Sequence, residues 1–250
     1  MVHHEFIRYN PGSRLAVLMV HGIAGSPVHF EALIPVIPED FSIYNILLDG
    51  HGKTEKEFAA TSMKKWKAQI NDTLRLLFSR HEKVLIVAHS MGTLFALQAA
   101  MDYPDRIASA FLLNVPLRPH YPISSALATV RVALGNIRPR DQIALEMRDA
   151  TSIDLSRNLL RYIGWAPRFW ELLTECRRMR KLLPQLKIPA LAFQARKDEL
   201  VSFRSLRDLE NHPCIKVTIL EHSGHYAYRS SDLPLLQQAL KELIEKEINK

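Results

Sequence analysis

A serine lies at the centre of the segment with the clearest chemical signature. Ser90 belongs to Ala88-His89-Ser90-Met91-Gly92, where an apolar run passes directly into a stretch that favours helix. Small residues on both sides of a serine suit a tight strand-to-helix turn, which raises the hydroxyl beside a helix N-terminus, where developing negative charge is stabilised. Although Ala88 replaces the more usual first glycine, the pattern predicts a nucleophilic serine.

A nucleophilic serine needs a general base, and the base needs a carboxylate that orients it. Asp198 follows a predicted strand over residues 189–194, and His225 lies in the loop between a predicted strand over 215–220 and the last helix. Since the carboxyl ends of parallel strands meet at one edge of a sheet, both loops reach the same place. We predict that Asp198 is the orienting carboxylate and His225 the base.

Other side chains compete for these two roles. His222 lies three positions before His225, but it directly follows the strand, whereas a glycine beside His225 allows that loop to approach the site closely. Glu199 is expected to point away if Asp198 points in, and Asp208 falls inside a predicted helix.

A glycine-rich turn over residues 21–27 follows the first central strand. The backbone N–H groups of Ile23 and Met91 are predicted to form an oxyanion hole, in which losing one donor typically costs roughly 10²–10³-fold in rate. A plain glycine-rich turn would also explain this segment. The turn lacks the glycine spacing of phosphate-binding loops, so nucleotide chemistry is not expected. A second turn, over residues 49–52, is expected to pack beside it.

The remaining chain alternates between strand and helix. Strands are predicted over residues 15–20, 42–48, 83–88, 107–113, 189–194 and 215–220. Apolar runs separated by helices predict the α/β class, with a doubly wound, mostly parallel sheet. Residues 117–187 contain no strand-like run and instead show helical stretches over 126–134, 156–163 and 170–183. We therefore predict a core formed by residues 1–116 and 188–250, and a helical cap or lid formed by 117–187.

Four aromatic residues are candidates for the wall of an acyl pocket: Phe30, Trp165, Phe169 and Trp170. Those of the predicted cap could equally serve only to bury the cap against the core.

The composition excludes disordered and fibrous proteins, because 47% of the 250 residues are hydrophobic. The formal charge is +7, and residues 117–187 carry 13 Lys and Arg against 6 Asp and Glu. We expect this surplus at the pocket entrance, not on a surface for nucleic acid.

Cys176 and Cys214 are far apart, which argues against a disulfide framework or structural zinc. No segment is apolar enough to span a membrane. A reducing, cytoplasmic location is expected.

Taken together, these motifs resemble the α/β-hydrolase superfamily, in the branch of small bacterial carboxylesterases and monoacylglycerol lipases. The resemblance covers essentially the whole chain and rests on His21-Gly22-x-x-Gly25-Ser26-Pro27, Asp49-x-His51-Gly52, His89-Ser90-Met91-Gly92, Asp198 and Gly224-His225. It implies the same triad and oxyanion donors, and neither a metal nor an organic cofactor. The stretch before Leu15 is too short for two leading strands, so a reduced sheet is expected.

The expected reaction is hydrolysis of carboxylic esters of short to medium acyl chain through an acyl-enzyme, with a small-molecule ester as the partner. This fold serves many activities. Two alternatives therefore stay open: an acyl-thioester or carbon–carbon bond hydrolase on the same triad, and a small-molecule-binding scaffold whose triad is idle. The oligomeric state is left open.

Overall fold

A sheet of seven strands forms the centre of the protein, in the order β1-β3-β2-β4-β5-β6-β7. The computed structural model describes residues 3–249. All neighbouring strands are parallel except β1, which pairs antiparallel with β3. The strands are β1 Phe6–Arg8, β2 Leu15–Val20, β3 Ser42–Ile46, β4 Lys83–His89, β5 Ile107–Leu113, β6 Ala190–Ala195 and β7 Ile215–Leu220. The predicted α/β class and the mostly parallel sheet are confirmed.

Helices cover both faces of this sheet. They are α1 Glu55–Ala60, α2 Met63–Arg80, α3 Met91–Asp102, α4 Ile123–Leu134, α5 Gln142–Ala150, α6 Ala166–Leu182, α7 Ser205–Glu210 and α8 Leu233–Ile248, with 3₁₀ helices at Pro27–Val36, Leu159–Trp165 and Leu183–Gln185. Alternate residues of β2 point to opposite faces, so one apolar cluster joins the sheet to α2 and α3 and the other joins it to α8 and to Pro27–Val36. Every residue of β2 is therefore buried.

Two elements on this side of the sheet have local causes. The segment after the glycine-rich turn forms a 3₁₀ helix, and Pro35 inside it has no N–H for an α-helical hydrogen bond. Strand β3 ends at Ile46, two residues early, because the next two N–H groups donate elsewhere. The N–H of Leu47 donates to Glu5 Oε1, and that of Leu48 donates to a histidine ring.

Residues 117–187 form helices and no strand of the sheet. Helix α5 was not predicted; Asp141 caps it by accepting the N–H of Ala144, and its buried residues pack against α4. Helix α6 packs against α2 and α3. The division of the chain into a core and a separate cap stays a prediction. Within residues 3–249, no helix has the length and apolar character needed to cross a bilayer.

Candidate active site

The turn between β4 and α3 raises Ser90 above the sheet. Its backbone has φ 50° and ψ −123°, in a region that residues other than glycine rarely occupy. Two hydrogen bonds hold this conformation: the N–H of Ser90 donates to the carbonyl of Leu113 at 2.9 Å, and that of Thr93 donates to the carbonyl of Ser90 at 2.9 Å. Such strain costs on the order of 1–3 kcal/mol and persists because the surrounding contacts enforce it.

Ser90, His225 and Asp198 form a continuous hydrogen-bonded chain. His225 Nε2 lies 3.0 Å from Ser90 Oγ, and His225 Nδ1 lies 3.0 and 2.9 Å from the two carboxylate oxygens of Asp198. The Asp198 carboxylate also accepts the N–H groups of Leu200 and Val201 at 2.8 and 2.7 Å. With its proton on Nδ1, the neutral imidazole leaves Nε2 free to accept the serine proton.

Two of the competing residues lie elsewhere. His222 is exposed, and its backbone N–H donates to Asp232. Asp208 forms a two-pronged ion pair with Arg118, with N–O distances of 2.7 and 2.8 Å. Neither side chain touches the imidazole of His225.

The expectation that Glu199 points away is wrong. Its Oε2 accepts the backbone N–H of His225 at 2.7 Å. Consecutive side chains alternate only in an extended strand, whereas the chain after Asp198 turns sharply enough for two following N–H groups to reach the Asp198 carboxylate. Both carboxylates therefore face the loop that carries His225.

The predicted oxyanion loop lies directly against the serine. A Cβ atom built on Gly22 would lie 2.8 Å from Ser90 Cβ, so only glycine allows this approach. Ile23 follows it and lines the same cavity as Ser90. Met91 is the first residue of α3, where an N–H group has no acceptor inside its own helix. The assignment of Ile23 and Met91 as oxyanion donors stays a prediction.

Two buried histidines fasten this loop to the turn after β3. His21 Nε2 accepts the N–H of Leu48 at 3.0 Å, and His51 Nε2 accepts the N–H of Ala24 at 3.0 Å. Their rings meet edge to face, with centroids 4.7 Å apart. The turn at residues 49–52 thus packs beside the loop, as the sequence predicted. Because each Nε2 accepts a backbone N–H, both rings must be neutral on that side.

We expect these two histidines to make the fold sensitive to acid. Burial lowers the pKa of His21 to about 4 and that of His51 well below its ordinary value. Unfolded histidine has a pKa of about 6.5, so below that pH the unfolded state binds more protons and the free energy of unfolding falls. For His21 the loss is about 2 kcal/mol by pH 5. Urea unfolding at pH 7.5 and 5.0 measures it.

The variant His21→Asn removes one titrating ring, and its unfolding midpoint should depend less on pH between these two values. The exposed His222→Asn serves as the control and should keep the pH dependence of the wild type. A wild-type midpoint that is the same at both pH values would contradict the prediction.

Ser90 and His225 open onto a cavity of about 700 Å³ between the sheet and residues 117–187. Trp165 and Phe169 line it, and Trp165 also donates its indole N–H to the carbonyl of Glu55 at 3.0 Å. The wall is largely apolar, and among residues 3–249 no Lys, Arg, Asp or Glu side chain contributes to it.

The structure contradicts the other two pocket assignments. Phe30 is completely buried in the apolar cluster beneath α8 and does not reach the cavity. Trp170 is 66% exposed on the outside of α6. Trp170 lies about 100° further round the helix than Phe169, and this rotation carries it away from the cavity.

The positive surplus of residues 117–187 is not found in the cavity wall, where no Lys or Arg side chain of residues 3–249 lies. Its location at the pocket entrance stays a prediction. Arginines of this segment form ion pairs with carboxylates: Arg118–Asp208, Arg131–Asp141, Arg148–Asp149, Arg161–Glu55, Arg168–Glu171 and Arg178–Glu175.

Among the described residues, no group of three or more His, Cys, Asp or Glu side chains could hold a metal ion.

Three supporting side chains were missed by the sequence analysis. Ser152 donates its N–H to the carbonyl of Ala24 and its hydroxyl to that of Gly25 in the glycine-rich turn, at 2.9 and 2.6 Å. Asn114 Nδ2 donates to the carbonyl of Gly224 at 3.2 Å. His89 Nε2 donates to the carbonyl of His225 at 3.1 Å. The positions of Asn114 and His89 at strand ends could have suggested a role, whereas nothing in the local sequence marks Ser152.

The sequence itself matches a known family over part of its length. Residues 16–135, just under half of the chain, match the model of the alpha/beta hydrolase fold. An uncharacterised protein of Mycobacterium tuberculosis (strain ATCC 25618 / H37Rv) is 29% identical over 103 residues, which is 41% of this chain and 30% of that protein. The matching part therefore spans less than a third of that relative.

Solved structures resemble the chain over nearly its whole length. One comes from the study of LipS and LipT, two metagenome-derived lipolytic enzymes, with a TM-score of 0.74, 24% identity and 98% of each chain covered. Another is a monoacylglycerol lipase of Paleococcus ferrophilus, with a TM-score of 0.69, 19% identity and coverage of 99% of this chain and 100% of that chain. At these identities the likeness shows the fold.

The strand order, the strand-to-helix turn at Ser90 and the match over residues 16–135 together define the fold of this protein. The chain has the α/β-hydrolase fold.

Proposed function

We propose that this protein is a serine hydrolase that cleaves neutral carboxylic esters of short to medium acyl chain through an acyl-enzyme. The observation that carries the proposal is the chain from Ser90 Oγ through His225 to Asp198, in which each hydrogen-bonded step measures about 3.0 Å. The lipolytic enzymes among the structural relatives support it.

The geometry supports a two-step reaction. Ser90 Oγ attacks the ester carbonyl carbon while its proton passes to His225 Nε2, and the carbonyl oxygen becomes an oxyanion facing the N–H groups of Ile23 and Met91. The carbon–oxygen bond to the alcohol then breaks, and His225 gives the proton to the leaving alkoxide. Water next attacks the acyl carbon and loses a proton to His225. The bond between the acyl carbon and Ser90 Oγ then breaks, His225 returns the proton to Ser90, and the carboxylic acid leaves. Asp198 stabilises the imidazolium in both steps.

The wall of the cavity favours uncharged substrates. Apolar side chains dominate it, including Val132, Met147, Leu155, Leu172 and Leu173, and no Lys, Arg, Asp or Glu side chain of the described residues is present. An ionised substrate group that binds against this wall loses its hydration without forming an ion pair, which costs several kcal/mol. The wall also lacks a Lys or Arg side chain of the described residues that could pair with the phosphates of acyl-CoA. We therefore do not expect substrate binding to depend on those phosphates.

We therefore expect p-nitrophenyl heptanoate to be a far better substrate than p-nitrophenyl monoadipate, which has similar length but ends in a carboxylate. The ratio of kcat/KM should be about 100-fold or more, since each ~1.4 kcal/mol changes the rate tenfold. Initial rates with the purified protein measure it. Equal kcat/KM values for the two esters would contradict the neutral preference.

The same assay separates the alternative functions. The heptanoyl thioester of N-acetylcysteamine tests thioester cleavage without the charge of CoA, and ring-cleavage analogues test carbon–carbon bond hydrolysis. A serine-reactive phosphonate should label Ser90. If neither labelling nor ester turnover occurs, the binding-scaffold alternative replaces the proposed function.

A further inference from the structure

We propose that Glu199 is a positioning residue of the triad: its carboxylate holds the backbone of His225 so that the imidazole reaches both Asp198 and Ser90. This inference rests on the proposed function, because it assigns Glu199 a part in the same reaction. Two adjacent carboxylates thus hold one histidine, Asp198 through the ring and Glu199 through the main chain.

The main chain around His225 is held by side chains from other strand ends. Its N–H donates to Glu199 Oε2 at 2.7 Å, and its carbonyl accepts from His89 Nε2 at 3.1 Å. The preceding carbonyl, that of Gly224, accepts from Asn114 Nδ2 at 3.2 Å. The bond to Glu199 is the shortest of these and the only one made to a carboxylate, so it is the strongest of the group.

The contact between Glu199 and this loop is direct and close. A Cβ atom built on Gly224 would lie 2.5 Å from Glu199 Oε1 and 2.9 Å from Oε2. The glycine beside His225 therefore makes room for the Glu199 carboxylate. A Cβ atom at position 224 would push the Glu199 carboxylate and the His225 backbone apart.

The carboxylate is placed there against an energetic cost. Burial raises the pKa of Glu199, and the neighbouring Asp198 charge acts in the same direction, whereas the hydrogen bond from the N–H of His225 favours the charged form. Tyr226, which follows His225, is partly buried near this carboxylate, and loss of hydration raises the pKa of its hydroxyl well above the ordinary value. The bond from the N–H of His225, together with one from the N–H of Glu199 itself, compensates the carboxylate for lost hydration.

The reaction requires this placement to be accurate. His225 Nε2 must stay within hydrogen-bond reach of Ser90 Oγ while Nδ1 stays on Asp198, and the observed distances of 3.0 and 2.9 Å satisfy both. A displacement of about 1 Å in a catalytic group can cost about 100-fold in rate. Without the Glu199 carboxylate, the backbone N–H of His225 has no acceptor, and the main chain that positions the imidazole can move.

The test compares two substitutions of similar size, Glu199→Met and Glu199→Gln. Met fills the space but has no comparable oxygen acceptor, whereas Gln keeps one. We expect E199M to lower kcat for p-nitrophenyl heptanoate about 10- to 100-fold with KM within about twofold, and E199Q to stay within about threefold of wild type. The control E221A removes an exposed carboxylate, paired with Arg196 ahead of the same loop, and should change neither constant.

Wild-type kinetics in E199M, or an equal loss in E199Q and E199M, would overturn the proposal. A second readout does not depend on turnover: the amide proton of His225 should resonate downfield in wild type and E199Q, as expected for a short bond to oxygen, and move upfield in E199M. If the wild type hydrolyses no ester, the proposed function fails, while this signal still decides whether Glu199 holds His225. An unchanged signal in E199M would refute that contact.

Discussion

Replacing Ser90 by alanine is expected to lower kcat/KM for p-nitrophenyl esters by about 10⁴- to 10⁶-fold, the range found when a triad nucleophile is removed from serine hydrolases. The variant keeps His225, Asp198 and the predicted oxyanion donors, but no hydroxyl remains 3.0 Å from His225 Nε2 to form the acyl-enzyme. The melting temperature should change little, because only one oxygen atom is lost. Initial rates and phosphonate labelling measure the effect.

A matched control is available on the surface. Ser79 is exposed near the end of α2, and its hydroxyl donates only to the carbonyl of Leu76, so Ser79→Ala should retain wild-type rates. Unchanged ester turnover in Ser90→Ala, or labelling of that variant by the phosphonate, would show that another residue is the nucleophile.

Gly92→Ala is expected to have the largest effect on stability. A Cβ atom at this position would lie 2.1 Å from the carbonyl oxygen of Val20 and 2.8 Å from that of His21. These are backbone atoms of β2 and the turn after it, which cannot move aside as a flexible side chain would. Alanine is favoured over glycine inside a helix by only about 1 kcal/mol. The steric clash outweighs that gain, and we expect a net loss of about 3 kcal/mol or more.

Urea unfolding of Gly92→Ala beside Gly12→Ala tests this prediction. Gly12 lies in an exposed turn, where a Cβ would meet only Asn10 Oδ1 at 3.5 Å, so its substitution should leave the unfolding midpoint nearly unchanged. A midpoint for Gly92→Ala equal to that of the wild type would mean that α3 can separate from β2 at no cost. In that case the close packing that presents Ser90 would not be a requirement of the fold.

Both predictions concern one turn, and they separate its two roles. In the proposed function the hydroxyl of Ser90 supplies the chemistry, whereas Gly92 lets α3 approach β2 closely enough to hold Ser90 at φ 50°. The first variant should lose activity and remain folded. The second should lose stability, and activity with it, because the strained backbone of Ser90 depends on the packing around it.

The sequence alone determined the class of fold and which residues stand at the ends of the strands. Apolar runs bounded by turn residues mark β2, β4, β5, β6 and β7, because a strand buried on both faces must be apolar throughout. Parallel strands bring their carboxyl ends to one edge, so Ser90, Asp198 and His225 could be expected to lie close together before any distance was known. These are local patterns combined with one topological rule.

Only the tertiary structure decided which side chains face that site. Whether Glu199 points toward His225 depends on the turn after Asp198, and whether Phe169 or Trp170 lines the cavity depends on how α6 is rotated against the sheet. The arginines of residues 117–187 lie away from the cavity wall for a similar reason, since partners such as Glu55 are distant in the sequence. Orientation and pairing come from contacts between distant segments, and no local pattern encodes them.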